Sequence, residues 1–214
     1  MAATLAVPRS IPLKTIAFTL LVLLAILVFA TRDIQLLSAA SPLRHHYVGI
    51  GPLMIVHGVF GALALLIAPF QFSSRIRNRF IKVHRFMGRT YVLSVLVASL
   101  AAVPAAIILG PPELIMAAST QATGWTLTTL TALYCVRTGR IQQHREWMMR
   151  SYPFAVVFIV VRSFLAVPWI AHMGIFGLIV VVWSVIAAAC FLPSFLIALN
   201  ATLKARPAPL RAAA

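Results

Sequence analysis

Acid is scarce in this sequence. Three Asp and Glu stand against 18 Lys and Arg in 214 residues, a formal net charge of +15. The carboxylates Asp33, Glu113 and Glu146 all fall between the apolar runs and none within one, so metal-dependent hydrolysis is the chemistry the chain suits least. Cysteine is equally scarce: Cys135 and Cys190 fall in or at the edge of apolar stretches, form no disulfide framework or metal-type spacing, and read as packing residues. A nicotinamide or flavin fingerprint is missing, as are long linkers and low-complexity tracts beyond the Ala/Pro-rich tail from Lys204. What the chain has is apolar surface. Hydrophobic residues make up 62% and charged residues 10%, more apolar area than a soluble domain of this length hides in one core. The solvent must be lipid.

A membrane span needs roughly 20 predominantly apolar residues. Six such runs are bounded by charge, Pro or Gly: approximately 15–30, 48–70, 88–109, 115–136, 151–170 and 174–199. The expected fold is therefore all-α, a polytopic transmembrane bundle of about six helices forming one membrane domain over 1–214, with a flexible cytoplasmic tail at 200–214. The first run, preceded by Arg9 and Lys14 and ending in Val28-Phe29-Ala30, also has the form of a secretory signal peptide; the reading preferred is an uncleaved helix.

Charge placement fixes the orientation. Fifteen of the basic residues flank the runs on one side, from Arg75 to Arg89, from Arg137 to Arg150, before the first run and after the sixth. The opposite loops carry only Arg32 and Arg44. This bias predicts both termini in the cytoplasm of a cell inner (plasma) membrane. Because the basic residues are spread among short loops, their expected partner is anionic lipid headgroup and not nucleic acid.

Ionisable side chains within a span cost several kcal/mol unless they face protein or water, which makes them candidates for function. His57 lies deep in the second run and Arg162 deep in the fifth. On a helix, His57, Gly61, Ala64, Ala68 and Gln71 share one face, as do His84, Gly88, Tyr91 and Val95. His57-Gly61 and His84-Gly88 thus repeat an H-x-x-x-G spacing, in which the small residue lets a helix or a flat cofactor approach. His144 and Arg162 are 18 residues apart, about five turns and some 27 Å, so a helix starting before His144 points both the same way. The fourth run is dense in Ser and Thr, which implies either contact with protein or bonding to its own carbonyls. Plainer readings stand beside each candidate: His57 as a neutral imidazole on a neighbouring carbonyl, His84 and His144 as headgroup-level residues, Arg162 as a clamp on backbone carbonyls.

Three pieces carry a resemblance. They are His57-Gly58 with Gly61 and Pro69-Phe70-Gln71-Phe72; His84-Arg85-Phe86-Met87-Gly88-Arg89 with Tyr91; and the run from His144 to Tyr152 with Arg162 beyond. Over about 48–167 the chain resembles a family of predicted bacterial integral membrane proteins of unknown function. The resemblance implies no activity and picks out His57, His84, His144 and Arg162.

Three functions fit these residue types. A b-type haem needs axial imidazoles, small residues beside the macrocycle and cations for its propionates; His57, His84, His144, Gly61, Gly88 and Arg162 supply them, with His84 and His144 the pair expected on the haem iron, and quinol or another protein as electron source. A transporter or small-anion or lipid-binding protein would use Arg162 and His57. An accessory subunit of a membrane complex, or a homo-oligomer, would need no chemistry of its own.

Overall fold

A computed structural model describes residues 13–28, 31 and 49–204. Among them the chain is helical throughout: α1 (Leu13–Val28), α2 (Gly51–Gln71), α3 (Ser74–Arg79), α4 (Ile81–Leu109), α5 (Pro112–Arg137), α6 (Ile141–Phe164), α7 (Pro168–His172) and α8 (Gly174–Lys204). Five of the six expected runs become α2, α4, α5, α6 and α8, and the first becomes α1. The count rises to eight because the basic loop after α2 winds into α3, capped by the Ser73 hydroxyl on the Ile76 amide, and because the fifth run breaks in two. That break follows from Pro168, whose ring forces Val167 into an extended conformation. The expected tail from residue 200 begins inside α8; residues 205–214 lie outside the described part, as do Arg9, Phe29, Ala30, Arg32 and Arg44.

Turn chemistry explains the other boundaries. Gly110 and Pro111 are both extended before the proline that follows each, which ends α4 and starts α5 at Pro112. Between α5 and α6 the chain reverses through Gly139 at φ +76°, a left-handed conformation open to glycine at no steric cost.

Helices α2, α4 and α8 are each long and apolar enough to cross a bilayer, with mean hydropathy of 2.2 to 2.7 over their best windows. Helices α5 and α6 have the length, at 26 and 24 residues, and are diluted by hydroxyls and by the charged first turns of α6. They occupy the interior instead: α6 packs against α1, α2, α5 and α8, and α5 lies between α4 and α6. Small side chains line these seams, with Ala64, Ala68, Ala98 and Ala132 wholly buried, as expected where helices associate by close packing. Large apolar residues point outward; Leu100, Phe191 and Phe86 are each more than 70% exposed. Such a surface would aggregate in water and is the solvated face in lipid.

The tightest seam predicts its own mutants. A Cβ on Gly124 would come within 2.7 Å of the buried Phe154 ring, whereas one on Gly61 meets nothing within 4 Å. Gly124→Val is expected to destabilise the detergent-solubilised protein by about 1–3 kcal/mol, and Gly61→Ala to leave its thermal midpoint unchanged or slightly raised.

Candidate functional site

Four polar side chains meet in the middle of the bundle. The Tyr91 hydroxyl of α4 is 2.7 Å from Ser151 Oγ of α6, Thr129 Oγ1 of α5 is 2.7 Å from the same Ser151 oxygen, and Trp125 Nε1 of α5 donates to Tyr91 at 3.2 Å. Tyr91, Ser151 and Thr129 have no exposed surface at all. Helices α4 and α6 do not pack closely backbone to backbone, so the tyrosine spans the space between them.

That contact sets a register. His84 precedes Tyr91 by seven residues and His144 precedes Ser151 by seven, and both stretches are helical. Seven residues are two turns less about 20°, a rise of roughly 10 Å. The two imidazoles therefore stand on the facing sides of α4 and α6 at one level, toward the end from which the basic loops emerge. Consistent with this, each lies within electrostatic reach of the other.

The two rings are held differently. His144 Nδ1 donates to the Ala132 carbonyl at 2.9 Å, a bond back to α5 that fixes the ring and leaves the Nε2 lone pair as its acceptor. His84 Nδ1 is buried and has no hydrogen-bond partner. Two more buried polar atoms without partners lie close by, Gln71 Nε2 and the Tyr152 hydroxyl. Gln71 lies over Gly88, one turn beyond His84, where an added Cβ would sit 3.5 Å from its Oε1. Tyr152 meets Phe72 edge-on with ring centroids 5.7 Å apart. Arg77 and Arg85 act on His84 from the basic end.

The other candidates are elsewhere. His57 Nδ1 donates to the Ala98 carbonyl of α4 at 2.9 Å, and Ala98 is fourteen residues, about 21 Å of helix, from His84. The imidazole thus has the carbonyl partner of its plainer reading. Gly61 faces open space, so on that face the close approach occurs at Ala64 and Ala68 instead. The guanidinium of Arg162 stacks 4.3 Å above the Phe158 ring, one turn back on α6. Helix α6 is continuous from Ile141, which meets the condition for His144 and Arg162 to share a face. Among the described residues no three His, Cys, Asp or Glu come together as a metal-binding group.

A family model for predicted membrane proteins, DUF2306, matches residues 54–200. The chain belongs to this family. The matched segment takes in most of α2 through most of α8, with all three motifs and with His57, His84 and His144, and the family has no established function. No curated protein and no solved structure matches the chain.

Sequence reading missed how the hydroxyls divide. Thr128, Thr131 and Thr138 bond carbonyls of their own helix, while Thr129 alone among the threonines joins α5 to α6. If the network acts as a unit, Tyr91→Phe and Ser151→Ala each cost about 1–2 kcal/mol, and the double variant costs clearly less than their sum. Unfolding titrations of the three proteins in mixed micelles measure this coupling.

Proposed function

We propose that this is a multi-pass inner-membrane protein, with both termini in the cytoplasm, that holds a b-type haem between His84 and His144 and takes part in electron transfer. The single observation that carries the reading is the equal spacing of the two histidines from the Tyr91–Ser151 contact, which puts an imidazole on each side of one interhelical space.

The donor set fits the group. A bare zinc ion takes three or four protein ligands, whereas haem takes one or two from the chain. Gly88 sits one turn from His84 with only the Gln71 amide nearby, which keeps the helix surface low there. Bound haem supplies one-electron chemistry. The residues of the chain do the rest: Ala132 fixes the His144 tautomer and leaves Nε2 to ligate, His84 would ligate through its own Nε2 with its buried Nδ1 unbonded by the protein, and Arg77 and Arg85 place positive charge where carboxylates would be favoured. Quinol or a partner protein is the electron donor in this reading.

Charge supports the orientation. The described connections at the far end, 110–111 and 165–173, carry no Lys or Arg, while the near-end connections together with the helix ends beside them carry ten from Arg75 to Arg150.

Absorption spectra of detergent-purified protein, oxidised and dithionite-reduced, test the proposal. A Soret band that shifts on reduction is expected, and it should be lost or converted to a weak high-spin form in His84→Ala and in His144→Ala, while His57→Ala keeps it. A folded protein made under haem-replete conditions with a featureless spectrum would overturn the reading and favour transport through His57 and Arg162, or an accessory role.

A further inference from the structure

A space opens between α5, α6 and α8, about 510 Å³ in volume and walled mostly by apolar groups, within the range of small-molecule sites. Arg150 of α6 and Ser194 of α8 stand at the basic end of it; Phe154, Ala189 and Gly124 line it farther in. From Thr131 to Gly124 it runs along seven residues of α5, roughly 10 Å. The threonines on this wall do not make it polar. Thr128 bonds the Gly124 and Trp125 carbonyls and Thr131 bonds the Leu127 carbonyl, so their hydroxyl protons are already engaged within α5.

Arg150 is held by three neighbours and is ion-paired with one of them, Glu146. Its Nε donates to Ser194 Oγ at 3.1 Å and its guanidinium lies 5.0 Å from the Trp147 ring centre. Its Nη1 is 3.9 Å from Glu146, too far for a hydrogen bond. Glu146 is the one carboxylate in a segment that also carries Arg137, Arg140 and Arg145, so the segment stays net positive, and Arg150 is the cation that lines the groove itself. On the outer side Leu127, Phe191 and Phe195 are exposed as lipid-facing residues, so the space opens sideways to the bilayer.

We infer that this groove binds an anionic phospholipid of the surrounding bilayer, with an acyl chain along Phe154 and Ala189 and the headgroup phosphate on Arg150. The apolar walls match the chain, and the guanidinium matches the phosphate in charge and in its paired donors. The inference depends on membrane placement and not on haem.

Native mass spectrometry of the full chain, with phosphatidylglycerol and phosphatidylcholine at equal concentration, tests it. Saturable retention of phosphatidylglycerol over phosphatidylcholine is expected, falling about fivefold in Arg150→Gln, the effect of one basic residue at a membrane surface. Thr131→Phe, which fills the groove and leaves Arg150 in place, should lower it similarly. The exposed Arg145→Gln should not, and His84→Ala should retain lipid even though it removes the proposed haem ligand. Equal retention of both lipids, undiminished retention in Arg150→Gln and Thr131→Phe, or displacement of phosphatidylglycerol by equimolar oleate would each overturn the assignment.

Discussion

A hydroxyl inside a lipid-embedded bundle has no water to turn to, so its partner must be its own helix or another one. Ser151 takes the second course twice, meeting Tyr91 on α4 and Thr129 on α5. With Trp125 donating to the same tyrosine, three helices are held at one level by groups that have no exposed surface. Each partner lost leaves another stranded in the interior, and the penalty for a stranded polar group exceeds the modest gain from making the bond. The network therefore fixes register more than it adds stability, and the depth of every other residue on α4 and α6 follows from it.

Register is what turns scattered sequence features into a site. Two turns toward the basic end, the same network aligns His84 with His144; seven residues toward the other end of α4 lies Ala98, whose carbonyl takes the His57 imidazole. The histidines thus separate into a facing pair and a single ring that already has a backbone partner. Around the pair the bundle leaves Gln71 Nε2, His84 Nδ1 and the Tyr152 hydroxyl buried without partners. Most bundles satisfy their polar groups; of the five exceptions among the described residues, Ser94 Oγ and Ser99 Oγ lie farther along α4 and three gather at one end of α2, α4 and α6. The groove at Arg150 lies on another face of α6, which gives the least apolar long helix two roles: an inner face toward α4 and an outer one toward lipid.

Much of this was legible from residue order. Apolar runs bounded by charge located five long helices, and helical spacing put His84, Gly88 and Tyr91 on one face; the orientation drawn from the arginines is part of the proposal. Hydropathy placed the starts of α4 and α6 too late, at 88 and 151 instead of Ile81 and Ile141. Both helices extend beyond the apolar run in charged first turns, and a search for lipid-compatible residues is blind to these. The break at Pro168 was foreseeable from its backbone chemistry. The partnership of Thr129, as opposed to Thr128 or Thr131, was not, because neighbouring threonines differ only in where the adjacent helix happens to lie. Nor did spacing alone show that Gly61 faces open space while Gly124 lies under Phe154.

The account rests on His84 and His144 facing one another across a single space, a claim independent of what fills it. Its most direct measurement is thiol cross-linking in a background with Cys135→Ala and Cys190→Ser, using a short bis-reactive reagent on the membrane-embedded protein. The pair His84→Cys with His144→Cys should be bridged within one chain, while His57→Cys with His144→Cys should not. Failure to bridge the first pair, or bridging of the second at an equal rate, would contradict the register on which the site depends.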